Sequence, residues 1–493
     1  MRYILALDAG TSSARAALYD AEARRLVLEA VPVERRFPQP GWVEQDPEEI
    51  WQAQFAAASK ALARMGADWK QLAAIGITNQ RETVIVWDRR TGHPVAPAIV
   101  WQCRRTAEFC EALRQSDQAA RITELTGLVV DAYFSASKLW WILRHVPGAR
   151  ERAEAGELAF GTVDTWLVWK LTRGRNHVTD LTNASRTMLM NLNTGAWDPE
   201  LLNLFDVPAC LLPEIVDSSK VVGVTSGEVC GAEVPIGGIA GDQQAALFGQ
   251  ACLWPGMSKN TYGTGCFLLA HTGDQPVTSG NRLLATRAAN LPGEKRFALE
   301  GSIFIAGAAI QWLRDQVGLL ASAAESAAIA QSVRSNGGVY FVPAFVGLGA
   351  PYWDPHARGL ITGLTQGTTR GHLVRAALES IAYQTRDLIE AIEGDIGRRI
   401  SELRVDGGAA ANDFLLQFQA DILGRPVVRP ADIETTALGA AYLAGLAVGF
   451  WKDLDEIQRR WKVDRVFEPS LGEAEREELY AGWKQAVARC LTR

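Results

Sequence analysis

The sequence predicts an α/β chain, and three observations predict it. Short apolar runs alternate with stretches of helical periodicity along the 493 residues. An apolar run near the start, "YILALDAGTSS", ends on an aspartate that turns through glycine, and so does a late one, "LRVDGGAAAN". Between strands lies "DPEEIWQAQFAAASKALARMG", which carries both a helix start and a helix stop signal. The length leaves room for roughly 2–4 domains. The two strand–Asp–Gly turns suggest two related domains that face one site.

In order along the chain, "MRYILALDAGTSSARAALYD" reads as a strand ending at Asp8, a turn through Gly10, Thr11, Ser12 and Ser13, and a second strand to Tyr19. A plain hairpin needs only the glycine. A phosphate site would use the turn's backbone amides, the hydroxyls and the aspartate together. Asp8 would then hold Mg²⁺, which takes oxygen ligands and keeps several waters. Arg15 would offset phosphate charge, and no G-x-x-x-x-G-K-[ST] loop is present. In the helix that follows, Asp46 suits the N-cap, Pro47 the first helical position, Glu49 a capping box, and Gly66 the position just past the end. "LAAIGITNQ" and "ETVIVWD" read as strands.

Pro255-Gly256, in "ACLWPGMSKN", marks the domain boundary. In "HLVRAALESIAYQTRDLIEAI", Leu373, Ala377, Ile381 and Leu388 fall on one helical face. "ISELRVDGGAAANDFLLQFQADIL" repeats the opening logic, with a strand ending at Asp406 and turning through Gly407 and Gly408 into a helix. "REELYAGWKQAVARCL" closes the chain as a helix with Leu479, Trp483, Val487 and Cys490 as its apolar stripe.

Composition excludes several function classes. The net charge of −6 argues against a nucleic-acid partner or an anionic membrane surface. No apolar run approaches the roughly 20 residues of a membrane span. "YILAL" is too short for a signal peptide, so a cytoplasmic location is expected. Seven cysteines without a C-x-x-C pair predict reduced, structural thiols.

Four further segments carry candidate chemistry. In "IGGIAGDQQAALFGQ", Asp242 is either a helix N-cap or a general base that takes a proton from an attacking hydroxyl. In "KNTYGTGCFLL", the Gly263-Thr264-Gly265 turn can donate hydrogen bonds to a transferring phosphoryl group. In "TNQRETVIVWD", Arg81 and Glu82 are either solvated surface charges or a donor fork and an acceptor for a polyol. Trp101, in "IVWQCRRT", is either core or a ligand wall.

Over essentially its whole length the sequence resembles the glycerol kinases of the FGGY carbohydrate kinase family. The resemblance rests on "GITNQRET", "GTVDTWL", "TDLTNASRTML", "IAGDQQAALFGQ", "KNTYGTGCF" and "VPAFVGLGAPYWDP". It also rests on two signatures, "YFSASKLWWILRH" from Tyr133 to His145 and "GLITGLTQGTTRGHLVRAALE" from Gly359 to Glu379. It implies two ribonuclease-H-like, actin-like domains around a central cleft. Residues 1–250 would bind polyol and phosphate, and residues 251–493 would bind nucleotide and carry the C-terminal helices. It implies ATP-dependent, Mg²⁺-assisted phosphorylation of glycerol to sn-glycerol 3-phosphate, by a homodimer or homotetramer.

By position, Arg81, Glu82, Tyr133, Asp242 and Gln243 match glycerol-binding residues, and Trp101 and Phe267 match the apolar walls. Thr11, Ser12, Ser13 and Arg15 match the phosphate loop, and Gly263 and Thr264 the second phosphate turn. Gly307, Gln311, Gly408 and Asn412 match nucleotide contacts. Asp242 matches the catalytic base and Asp8 the carboxylate near the metal.

The loop "GTSSAR" departs from the commoner "GTTSSR" in that Ser12 and Ala14 replace Thr and Ser, and Ser12 keeps a hydroxyl. The segment "SGEVCGAEVP" lacks the basic residue and the histidine through which some members are regulated, so control through it is expected to be weak or absent. The alternatives are an FGGY kinase for a pentulose or another polyol, and an actin-like nucleotide switch.

Overall fold

The structure, a computed structural model, describes residues 2–492. Two mixed sheets organise it. The first runs Ser219–Val224, Pro235–Gly241, Leu72–Asn79, Tyr3–Ala9, Ser13–Tyr19, Arg25–Pro32. The second runs Val463–Phe467, Val427–Pro430, Leu403–Asp406, Ser258–Tyr262, Cys266–Gly273, Phe297–Ile303, Leu284–Arg287.

In these orders the second sheet repeats the parallel and antiparallel pairings of the first, strand for strand, and then adds an edge strand. The two halves share one plan, but not in the correspondence expected from sequence. The opening hairpin answers to residues 258–273. The strand that ends at Asp406 takes the place of Leu72–Asn79, not that of Tyr3–Ala9. An Asp-Gly after an apolar run is a local pattern, whereas a strand's place in a sheet is set by distant pairing.

The first strand shows why its sequence is apolar at nearly every position. It lies inside the sheet with both faces covered. Alternation sends Tyr3, Leu5, Leu7 and Ala9 into the core shared with the helix Pro47–Arg64. Ile4 and Ala6 enter the core shared with the helix Thr435–Ala447. Asp8 falls on this second face. Asp46 caps Pro47–Arg64 by accepting from the Glu48 amide at 2.9 Å, and Gly66 follows the helix at φ 60°. The expected capping box does not form, because Glu49 accepts from the Glu34 amide at 2.7 Å instead. The strand expected over "ETVIVWD" begins only at Ile85, since the chain turns sharply at Glu82.

The helix Thr435–Ala447 comes from the second half of the chain and packs on the first sheet. Its sequence is small and apolar all round, as suits a helix buried on every side. Its seat is made by glycines. A Cβ at Gly76 would overlap the Ala440 carbonyl, and one at Gly439 would overlap the carbonyl of Ala245 in the helix Asp242–Gly249. The closing helix, Glu473–Cys490, buries Tyr480, Trp483, Val487 and Cys490 in the core of the second sheet, with Leu479 at its rim. All seven cysteines are unpaired, as expected. Among the described residues no helix is long and apolar enough to cross a membrane.

This seating makes a testable demand. Gly439→Ala should lower stability by about 2–3 kcal/mol, the usual cost of overpacking. Gly227→Ala, which meets open space, should stay within about 0.5 kcal/mol of the parent. Denaturant unfolding of the two variants decides it.

Candidate active site

Ala9, Asn79 and Gly241 lie side by side on three neighbouring parallel strands. Asp8 precedes Ala9, Arg81 follows Asn79 by two residues, and Asp242 follows Gly241. The carboxyl ends of parallel strands therefore bring these three side chains to one edge of the first sheet. In the second sheet Thr261 pairs with Asp406 in the same way.

Arg81 and Glu82 are buried, at 3% and 1% exposure, so they are not a solvated pair. Four of the five N–H groups of Arg81 are already engaged, one of them by Gln244 Oε1 at 3.1 Å from Nη1, which leaves one N–H on Nη2. Nη1 and Nη2 donate to Glu300 Oε2 and Oε1 at 2.5 and 3.1 Å. Nε faces Asp242 Oδ1 at 3.2 Å. Arg186 joins the cluster, donating from Nη2 to Glu300 Oε1 at 3.0 Å and from Nε to Glu82 Oε1 at 2.7 Å. Glu82 has φ 62°, and the Thr83 amide donates to the Arg81 carbonyl across it at 2.8 Å. That is a three-residue turn with a left-handed non-glycine centre, a strained form typical of functional sites.

The environments divide the carboxylates. Burial alone would raise Glu300, but Arg186 and Arg81 outweigh it and hold the carboxyl at about 2. Burial pushes Glu82 upward, with Arg186 and Arg81 opposing. Burial raises Asp242 as well, against Arg81 and Lys259. Asp8 rises to about 7, chiefly through burial, with repulsion from Asp242 and Glu434 added and Arg15 opposing.

Asp242 is the first residue of the helix Asp242–Gly249, and Gly241 holds the cap position, so the N-cap alternative fails. Its Oδ1 accepts from the Gln243 amide at 2.7 Å. Its side chain is 29% exposed, while those of Arg81 and Glu300 behind it are at 2% and 0%. Asp242 is thus where a closed ion cluster opens. Beside it, Gln243 Oε1 accepts from the buried ammonium of Lys259 at 2.5 Å. Burial lowers Lys259 to about 8, with Asp406, Glu300 and Asp242 opposing.

The aromatic walls connect to the opening hairpin. Trp101 donates from Nε1 to Thr11 Oγ1 at 3.0 Å and meets the Tyr133 ring edge-on at 5.5 Å. Trp101 is partly buried and packs at the rim of an apolar cluster. Lys138 is wholly buried and donates to the carbonyls of Ala132, Tyr133 and Phe134, fixing the approach to the helix Ser135–His145. Phe267 stands opposite Thr261 across the second hairpin. Gly10 donates to the Ser13 carbonyl at 3.0 Å to close the first turn, with Ser12 at the surface and Ser13 half-buried. Arg15 donates to Glu434 Oε2 at 2.8 Å, so its charge is shared with the second half of the chain.

On the opposite side, Gly263-Thr264-Gly265 turns the second hairpin. The carbonyls of Gly263 and Thr264 accept from the amides of Gly307 and Ala308, both at 3.1 Å, which joins this turn to the helix Gly307–Asp315. Gln311 is exposed on that helix, and Gly408 opens onto free space after Asp406. Asn412 caps the helix Asp413–Leu423 through the Leu415 amide and donates to Ser326 Oγ at 3.2 Å.

Arg186, Glu300, Lys259 and Lys138 are site residues that sequence reasoning missed. Glu300 had a readable signal, since it is a lone charge inside an apolar strand pattern, where charges are seldom buried unpaired, whereas Lys259 lies in a polar strand segment, Ser-Lys-Asn-Thr-Tyr, that does not set it apart. Arg186 and Lys138 lie in segments whose pattern names no chemistry.

The comparisons with known proteins agree with this geometry. Over its full length the chain is 59% identical to "Glycerol kinase 2" of Thermotoga maritima, covering 99% of that relative. It superimposes on the crystal structure of Plasmodium falciparum glycerol kinase with ADP at a TM-score of 0.94, with 37% identity, 100% of this chain and 99% of the other covered. A ligand-bound xylulose kinase from Lactobacillus acidophilus shares the fold at a TM-score of 0.88 and 23% identity, over 99% of each chain. Residues 3–249 match the N-terminal domain of the "FGGY family of carbohydrate kinases", and residues 258–448 match its C-terminal domain. With both halves matched in order around one ion-lined site, the chain belongs to the FGGY family of carbohydrate kinases.

Proposed function

We infer that this chain transfers the terminal phosphoryl group of ATP to a hydroxyl of glycerol, giving sn-glycerol 3-phosphate. The observation that carries the inference is the 59% identity to a glycerol kinase over the full chain. The site supplies a matching chemistry. Phosphoryl transfer asks a protein for positioning and charge neutralisation more than for covalent help. Asp242 is the open carboxylate of the cluster and accepts the proton of the attacking hydroxyl. Burial raises its carboxyl, and Arg81 and Lys259 oppose that rise.

Tyr133, Gln243, Arg81 and Glu82 pair the glycerol hydroxyls, and Trp101 and Phe267 flank its carbons. A site built to pair each hydroxyl rejects analogues that leave its groups unpaired. The Thr11–Ser13 turn, Arg15 and the Gly263-Thr264 turn receive phosphate oxygens. Gly307, Gln311, Gly408 and Asn412 receive the nucleotide. Closure of the two halves on glycerol would exclude water, which competes for the same phosphoryl group.

The donor set around Asp8 suits Mg²⁺. Asp8 is a buried carboxylate raised to about 7 and repelled by Asp242 and Glu434, which a cation would relieve. Among the described residues no cluster of three or more metal-binding side chains occurs, which agrees with an ion held largely by water and phosphate oxygens. Mg²⁺ at Asp8 would neutralise phosphate charge. Residues 1–250 and 251–493 as the two functional domains, a cytoplasmic location and a homodimer or homotetramer belong to the same proposal. Sedimentation tests the assembly.

The first expected outcome concerns the substrate. ADP release with ATP and Mg²⁺ should depend on glycerol and far exceed the rate with no acceptor, xylulose, ribulose or gluconate. Preference for a pentulose would overturn the glycerol assignment and keep the fold. The second concerns the base. Asp242→Asn should lower kcat by roughly 10²–10⁴-fold, and near-normal turnover would remove Asp242 from that role.

The third concerns Asp8. Its folded carboxyl titrates near 7 and its unfolded one about three units lower. Between those values the folded chain holds a proton that the unfolded chain has lost, so stability falls as pH rises through the window. Above it the folded chain carries the full penalty of a buried charge. Asp8→Asn should therefore raise the melting temperature at pH 8 without metal, by a few degrees, while lowering kinase turnover. A lower melting temperature at pH 8 would refute the account.

A further inference from the structure

Gln243 sits beside Asp242 on the first turn of the helix Asp242–Gly249 and is 7% exposed. Its side-chain amide has an acceptor end and a donor end, and the end that faces a substrate decides whether the site gives or takes a hydrogen bond. Lys259 decides this. It belongs to the strand Ser258–Tyr262 of the second sheet and is wholly buried. Its Nζ lies 2.5 Å from Gln243 Oε1, 2.8 Å from Thr261 Oγ1 and 3.2 Å from the Phe267 carbonyl oxygen.

An ammonium carries three N–H donors and no acceptor. Three acceptors therefore use all of its donors, and none is left for a ligand. The ammonium can meet only the oxygen of Gln243. A flipped amide would set donors against donors in a buried place, which leaves polar groups unpaired. Thr261 stands opposite Asp406 on the neighbouring parallel strand, and Asp406 accepts from Gln250 Nε2 at 2.7 Å. Lys259 is thus anchored to the strand ends of the second sheet, while Gln243 rides on the helix that follows the first.

We propose that Lys259 is a positioning residue that fixes Gln243 as a hydrogen-bond donor, so that the substrate must present an oxygen acceptor at that point. The proposal rests on Gln243 contacting the substrate, as assigned above. It makes substrate recognition a joint product of the two sheets, since one supplies the amide and the other sets its polarity.

The test uses the full chain and four variants: Gln243→Ala, Gln243→Glu, Lys259→Met and the double variant Gln243→Ala/Lys259→Met. Glycerol KM, ATP KM, kcat and thermal midpoint are measured for each. Gln243→Ala should raise glycerol KM about tenfold, the value of one substrate hydrogen bond. Lys259→Met should raise it about as much, with ATP KM within about twofold of the parent. The double variant should be no worse than either single one, because both remove the same oriented donor. Gln243→Glu keeps an acceptor against Lys259 and loses the donor, so it should keep the thermal midpoint yet bind glycerol no better than Gln243→Ala.

Additive losses in the double variant, an unchanged glycerol KM in Lys259→Met, or normal glycerol binding by Gln243→Glu beside a defective Gln243→Ala would overturn the proposal alone. An unchanged glycerol KM in Gln243→Ala would remove Gln243 from the substrate, and the proposal would fall with that assignment. If Lys259→Met does not fold, the comparison of Gln243→Glu with Gln243→Ala decides the matter.

Discussion

Glu300 binds two guanidinium groups at once, and the site depends on that arrangement. It comes from the second sheet, while Arg81 and Arg186 come from the first half of the chain. All three are closed to solvent. Loss of any one would strand a buried charge, which is far costlier than the net worth of the pair. The cluster therefore has one geometry. Arg81 cannot swing away, so its Nε stays against Asp242. Glu82 is drawn into the same cluster by Arg186 and holds a left-handed backbone there.

The two halves meet in a second way that fixes the first. The helix that carries Asp242 and Gln243 crosses Thr435–Ala447 at a glycine, and Thr435–Ala447 lies in turn on the first sheet. Glu434, at the head of that helix, takes the charge of Arg15 from the opening hairpin. The candidate base, the amide beside it and the phosphate turn are thus positioned by elements that the chain order separates widely. Small side chains at the crossing permit the close approach, and interior packing leaves little room for it to shift.

Environment alone divides the acids into roles. Asp8 and Asp164 both rise to about 7, with burial the largest cause for each. Asp164 nevertheless belongs to the framework, since it accepts from the hydroxyls of Thr162 and Thr179 inside the first half. Asp8 instead is repelled by two other acids, Asp242 at the same edge of the first sheet and Glu434 from the second half of the chain. A raised carboxyl marks a site only when its neighbours leave it something to bind. Glu300 shows the opposite case, an acid held ionised so firmly that it serves as a fixed anchor.

The sequence by itself determined the local pieces. Alternating apolar runs named the buried strands, Asp46, Pro47 and Gly66 marked a helix, and Asp8, Arg81 and Asp242 stood out because strand ends followed by small or polar residues are legible from adjacent positions. The family motifs assigned roles to those residues. Tertiary structure decided what each one faces. It placed Ala9, Asn79 and Gly241 in one row, matched the opening hairpin with residues 258–273 rather than with Asp406, turned Glu49 from its own helix to Glu34, and spent the fork of Arg81 on Glu300. It also brought Lys259 to Gln243 and Arg186 to Glu82. Those partners belong to different elements, and a buried charge has no preference for a partner near in sequence; it pairs with whatever opposite charge or dipole the packed fold brings within reach.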